Sequence, residues 1–242
     1  MKQDLAISRD CLDCPIRFRA ICSRCEPAEL EILDSIKFYR NYDVGQTVIW
    51  AGESLEFVAS VVSGTAALTQ IMEDGRTQMV GLLLPSDFVG RPDRQQVTYN
   101  VVATTNLYMC CFHRQRFAEL LESFPHISQR LLEITFDELD AAREWMLVLG
   151  RKTAREKLAS LLVVFTRREI VGDEAILDKE VNFTLPLTRA AMADYLGLTF
   201  ETVSRQISKL RHDGIIEITG NRRVTIPSTA NLMKEAGGEY DL

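Results

Sequence analysis

The chain has 242 residues, 46% of them hydrophobic and 26% charged, with a formal net charge of −6. That length suffices for two domains with cores of their own, and the composition is that of an ordinary globular protein. No apolar run approaches the roughly 18 residues of a membrane span. The opening MKQDLAISRD has no apolar signal core, so a cytoplasmic protein is expected. The charge is unevenly placed. Arg151 to Arg223 carries 13 Lys and Arg against 10 Asp and Glu, and the remainder 15 against 24. A basic module on an acidic body suits docking on nucleic acid by one end.

Residues 1–25 form a cysteine-rich segment. DCLDCPIRFRAICSRC has the spacing C-x2-C-x7-C-x2-C, which packs Cys11, Cys14, Cys22 and Cys25 into fifteen residues. Disulfides are not expected in a reducing compartment. Thiolates two residues apart can share a metal or cluster, because a short turn aims both sulfurs inward. Arg17, Arg19 and Arg24 lie among them and are expected to lower the thiol pKa values. Zinc and iron–sulfur both remain open at this point, although the gap between the pairs is short for structural zinc.

Residues 26–120 predict a short amphipathic helix with Leu30, Leu33 and Ile36 in register, then closely spaced strands. Glycines punctuate runs such as TVIWAG, FVASVVSG and TQMVGLLL, and Asp74-Gly75 is a hairpin signal. Strands without intervening helices predict an antiparallel barrel or jelly roll. In NVVATTNLYMCCFHRQRF, alternation from Val101 to Phe112 predicts one strand, on which Cys110 and Cys111 face opposite ways. Only one of them can face the N-terminal segment; small core filler is the alternative role. His113 reads as a capping or surface residue.

Within residues 121–150, Ile127 to Arg151 predicts a helix of about seven turns. It has two apolar seams. Ile127, Leu131, Ile134, Ala141, Trp145 and Val148 make one; Leu132, Leu139, Ala142, Met146 and Leu149 make the other. A helix apolar on two sides needs two partners, here the β-roll and a second copy of itself, so a homodimer is expected. The first seam, with Glu138 interrupting it, is taken as the pairing face. Glu138 would meet its mate across the two-fold axis and, with Asp140, hold the protein monomeric until a centre is bound, so that removing it should release the dimer; a rim charge on a solvated face is the alternative.

Residues 151–230 predict a DNA-binding module. In LTRAAMADYLGLTFETVSRQISKL, Thr188 and Thr199 read as N-caps and Gly197 as a left-handed helix stop. Val203, Ile207 and Leu210 make a stripe that must bury. Glu201, Ser204 and Arg205 point outward together. Arg can take O6 and N7 of guanine, Glu can accept from N4 of cytosine, and Ser suits either edge; a surface ion pair is the plainer alternative. Thr202 and Lys209 join them as candidate DNA contacts. GIIEI and RVTI predict a hairpin wing with Gly220-Asn221 at its turn, and Arg222 and Arg223 suit phosphates. A polar, loose tail is expected over 231–242.

ETVSR within that helix pair resembles the recognition helix of the Fnr branch of the Crp/Fnr transcription regulators, and the likeness extends over nearly the whole chain. GQTVIWAGE, VVSGTAAL and EDGRTQMVGLLLPSDFVG resemble the cyclic-nucleotide-binding β-roll of that superfamily. The resemblance implies an α+β fold: an antiparallel β-roll, a long dimerisation helix and a C-terminal winged helix-turn-helix. It implies base contacts by Glu201, Ser204 and Arg205. It also implies an oxygen-labile [4Fe–4S] cluster on Cys11, Cys14, Cys22 and Cys110, with Cys25 interchangeable with Cys22. The cluster would favour a dimer that binds double-stranded DNA at a palindromic operator under low oxygen and engages RNA polymerase. One departure matters: Phe88-Val89-Gly90 leads into Arg91-Pro92-Asp93, with no Glu for a ribose and no Arg-Ser or Arg-Thr pair for a phosphate, so no cyclic nucleotide effector is expected. A zinc or thiol-redox regulator is the alternative. An electron-transfer iron–sulfur protein is a further one, against which the recognition helix argues. No nucleophile–base pair or phosphate-cradling loop marks an enzyme.

Overall fold

The computed structural model describes residues 10–170, 179–220 and 222–238, and the chain divides into two compact units, 1–138 and 139–242. The division falls inside one continuous helix rather than at residue 150, where composition changes.

In the first unit, β-branched and aromatic residues between glycine turns make two antiparallel four-stranded sheets. After α1 (Pro27–Ile36) come β1 (Lys37–Tyr42), β2 (Thr47–Ile49), β3 (Phe57–Ser63), β4 (Ala66–Ile71), β5 (Thr77–Leu83), β6 (Phe88–Val89), β7 (Asn100–Ala103) and β8 (Leu107–His113). One sheet has the order β1-β8-β3-β6, the other β2-β7-β4-β5. Alternation sends Phe57, Ala59, Val61, Leu107, Met109 and Cys111 inward to meet Ala66, Leu83, Val101 and Ala103. The opposite side of the first sheet carries Val58, Phe88 and Phe112. That side is covered by α1, by Phe117 and Leu120 of α2 (Arg114–Ser123), and by Ile127 at the start of α3 (Pro125–Arg151).

The single strand expected over Val101–Phe112 is two strands in different sheets. The chain turns the corner at Thr104 to Asn106, where both the backbone N–H and hydroxyl of Thr104 donate to the Thr65 carbonyl. Thr104, Thr105 and Asn106 interrupt the apolar alternation at this corner. Gly64 lies against this corner: with φ +84, a Cβ there would lie 2.1 Å from the Asn106 carbonyl oxygen.

In the second unit, α4 (Ala154–Glu169), β9 (Val181–Thr184), α5 (Arg189–Leu196), α6 (Phe200–His212), β10 (Glu217–Thr219), β11 (Arg223–Ile226) and α7 (Thr229–Glu235) follow in order. The sheet order is β10-β11-β9. Thr153 caps α4 through a reciprocal capping box with Glu156. The expected polar tail is corrected in part. Ser228 caps α7, and Leu232 and Ala236 are buried, so this segment closes the core instead of trailing from it. The alternating signs of its polar residues conceal those two apolar positions. Asn221 and residues 239–242 lie outside the described residues.

Gly64→Ala should destabilise the first unit by about 2 kcal/mol or more, through both backbone strain and the collision at the corner. Thermal unfolding of the purified variant against the parent measures it.

Candidate cysteine centre and nucleic-acid interface

The cysteine segment folds as turns with a short 3-10 helix at Ile21–Arg24, held down by buried Ile16, Ala20 and Ile21. Polar contacts fasten it to α3. Arg130 Nη2 donates to the Arg19 carbonyl at 2.9 Å, and Arg24 pairs with Glu133 at 2.8 Å. Neighbouring Glu29 on α1 pairs with His126 at 2.9 Å.

On β8 the alternation separates the two adjacent cysteines. Cys111 is fully buried between the sheets. Cys110 points to the other side and packs among Cys14, Cys22, Ile16, Ala20 and Tyr39. Burial pushes the Cys110 thiol up, and the nearby charges of Cys11, Cys14, Cys111 and Cys22 add to this. Burial first, then Cys14, Cys25 and Cys11, raise Cys22 to about 12. The loop and the strand thus bring Cys11, Cys14, Cys22 and Cys110 together. Cys25 is raised to about 11 by burial and by Glu29, and lies deeper, beside Leu30 and Phe117. Among the described residues, no three His, Cys, Asp or Glu side chains close on one point as a single ion would require.

The expected lowering of the thiol pKa values by Arg17, Arg19 and Arg24 is corrected: burial outweighs these cations, and only Arg17 acts on a thiol, lowering Cys25. The cation that reaches a sulfur is one the sequence does not mark. Lys37, whose side chain is 6% exposed, donates from Nζ to Cys11 Sγ at 3.4 Å and pairs with Asp34.

Part of the first seam of α3 packs within its own chain. Ile127 is buried, and Leu131 and Ile134 pack against the core beneath the cysteine segment. In the second unit Val148 is buried and Trp145 stacks on Tyr195 at 4.8 Å. Glu138 acts on Tyr99 of its own chain, and Ala141 is exposed. Ile127, Leu131, Ile134 and Val148 of this seam thus turn inward, whereas Glu138 and Ala141 are exposed. The exposed apolar residues of α3 include Leu132 at 52%, Phe136 at 55%, Leu139 at 42% and Met146 at 74%, with Leu147 at 57% beside the last. The first four recur at alternating steps of four, three and seven on the opposite side of the helix. Two seams of equal apolarity look alike in a sequence; tertiary contacts decide which one folds back.

In the second unit, Thr188 accepts from the Ala191 N–H, Gly197 ends α5 at φ +61, and Thr199 accepts from the Thr202 N–H to start α6. Val203, Ile207 and Leu210 bury the inner stripe of α6. Glu201, Arg205 and Lys209 are exposed. Glu201 also sits in the first turn, where the helix dipole favours a carboxylate. Thr202 is half-buried and shares its hydroxyl with Thr199. Ser204 is half-buried too, and its Oγ is covered and unpartnered. Arg155 fixes the far end of α6 by pairing with Asp213 at 2.7 Å and with Glu235 of α7 at 2.6 Å. Arg223 is exposed at the wing. Arg222 lines a cleft of about 340 Å³ with Arg189, Thr188 and Phe200. Arg189 is a basic residue on this face that the helix pattern does not single out.

A β-roll followed by a winged helix-turn-helix with an exposed Glu/Arg recognition face defines a DNA-binding transcription regulator. Residues 156–235 match the Crp-like helix-turn-helix domain, and residues 39–124 the cyclic nucleotide-binding domain. The chain is 62% identical to the transcriptional activator protein FnrL of Cereibacter sphaeroides, over 96% of this chain and 93% of that one. It is 28% identical to the fumarate and nitrate reduction regulatory protein of Escherichia coli, over 94% of this chain and 90% of that one. The structure of FixK2 from Bradyrhizobium japonicum superposes with a TM-score of 0.75 at 28% identity, covering 85% of this chain and all of that one. The chain belongs to the Crp/Fnr family, whose members it resembles here are regulators, not enzymes.

Because Cys22 and Cys111 are raised from 9.0 to about 12, the folded apoprotein holds their protons more tightly than the unfolded chain. Their contribution is fully present below pH 9 and is lost as pH rises towards 12. Unfolding of the metal-free protein in denaturant should show its midpoint falling steadily across that window.

Proposed function

We propose that this protein is an oxygen-responsive transcription activator of the cytoplasm, in which the cysteine centre governs pairing of two copies on a palindromic operator. The observation that carries this reading is the meeting of Cys11, Cys14 and Cys22 with Cys110 on one side of the first sheet, in a segment that is itself ion-paired to α3. An all-thiol donor set in apolar surroundings fits a [4Fe–4S] cluster. Bound there, the cluster supplies an oxygen-labile link between loop and strand. Cys22 is taken as the third loop ligand because it packs against the same buried cluster as Cys14 and Cys110.

The chain's own residues then transmit the state of the loop. Arg24 ties it to Glu133, next to Leu132 and one turn from Phe136 on α3, and Arg130 holds the Arg19 carbonyl. Ordering the loop steadies this part of α3 and favours pairing of the exposed stripe with its copy as a parallel coiled coil. A coupling of about 1–3 kcal/mol suffices to shift such an equilibrium about 5–150-fold. Two recognition helices brought together this way would read half-sites one DNA turn apart. Glu201 and Arg205 read a G·C pair, and Arg222 and Arg223 steady the phosphates. The paired protein then engages RNA polymerase.

Anaerobic purification with an iron count and spectrum, then a gel-shift on a palindrome before and after air, tests the reading. A brown protein whose operator binding is lost in air is expected, and serine at positions 11, 14 or 110 should abolish that air-sensitivity together with the colour. Stoichiometric zinc in a colourless protein that binds DNA equally in air would overturn it. Leu139→Glu should leave the iron content intact yet lower operator affinity at least tenfold by keeping the protein monomeric in sedimentation. Arg205→Ala should cost about 1–3 kcal/mol of discrimination at its G·C pair and leave dimerisation unchanged.

A further inference from the structure

Ser60 lies in the middle of β3, 2% exposed, and its Oγ has no hydrogen-bond partner among the described residues. Its register partner across the sheet is Cys110, whose other neighbour is Tyr39. Directly opposed residues share a face, with Cβ atoms about 4.5–5.5 Å apart. The hydroxyl therefore lies beside the Cys110 sulfur, on the side of the sheet where the N-terminal cysteines gather. Its strand neighbours on that face are Val58 and Val62, both apolar and buried. Alanine or valine would fill the position without a stranded polar group, and a buried hydroxyl lacking a partner is costly. A neutral thiol is a weak acceptor, whereas a thiolate bound to iron is a charged one. From the opposite edge of the sheet, Lys37 already donates to Cys11.

We propose that Ser60 is a positioning residue for the cysteine centre: its hydroxyl donates to the Cys110 sulfur once that sulfur is a ligand, and with Lys37 on Cys11 it completes a pair of donors that slows loss of the cluster. The proposal rests on the cluster reading above. Hydrogen bonds to ligand sulfurs tune such centres, and removing partners outside the ligand set commonly costs about 10–100-fold in metal retention. The orphan hydroxyl should be neutral or unfavourable in the metal-free chain and useful only in the loaded one.

Full-length parent, Ser60→Ala and Ser60→Thr are reconstituted anaerobically with iron and sulfide. The fall of absorbance near 400 nm is followed after mixing with air-saturated buffer, and thermal unfolding of each metal-free chain is recorded alongside. The expected result is decay about tenfold faster in Ser60→Ala, near-parental decay in Ser60→Thr, and a metal-free Ser60→Ala chain at least as stable as the parent. Parental decay in Ser60→Ala overturns the assignment while leaving the cluster reading intact. Equal loss of stability in the metal-free Ser60→Ala chain makes the serine a packing residue and also overturns it. A parent that takes up no iron brings down the cluster reading and this assignment together.

Discussion

Strand periodicity at two adjacent cysteines sets the terms for the first unit. Successive side chains on β8 must point to opposite faces, so Cys111 is committed to the interior of the roll and Cys110 to the face beneath the N-terminal segment. A slip of one residue in the β3–β8 register would exchange them. It would bury Cys110 in the roll and set Cys111 opposite Ser60 beneath the segment. The bulk of the roll's core, from Phe57 to Met109, holds that register in place.

The same register explains why the cysteine segment is ordered enough to gather its thiols. Part of its apolar surface stays in solvent, Phe18 at 84% and Leu12 at 53% exposed. Buried Ile16, Ala20 and Ile21 supply the anchor, and contacts from Arg130 and Glu133 add direction. Surface ion pairs of this kind contribute little stability individually. Their value lies in connecting the segment to one turn of α3 and not another. The second unit is organised differently. Capping threonines and Gly197 fix α5 and α6 locally, and Arg155 ties the end of α6 to α7.

Features encoded by neighbours in sequence were readable from it. Thr188, Gly197 and Thr199 bound their helices through hydrogen bonds spanning a few residues, and Cys110 and Cys111 separate by alternation alone. Features that depend on distant partners were not. Leu131 and Leu132 are chemically equivalent, and only the packing of the roll makes the first an interior residue. The corner at Thr104–Asn106 is set by Thr65 and Gly64, forty residues earlier. Leu232 and Ala236 are too sparse to announce a buried helix. Lys37 and Ser60 belong to no motif; each acquires a role by lying across a strand or a turn from a cysteine. The arginines within the cysteine segment made the opposite error natural, since charge is visible in a sequence and burial is not.

Burial of the thiols has a thermodynamic corollary. Cys22 and Cys110 hold their protons far above neutrality, so each must release one to the solvent as it takes up iron. Building the centre is then an acid-liberating event, and mass action lets protons compete with iron for the same sulfurs. Under the proposed function the bare form would gain ground whenever its surroundings turn sour, and the level of loaded regulator would follow two small species, dioxygen and hydronium.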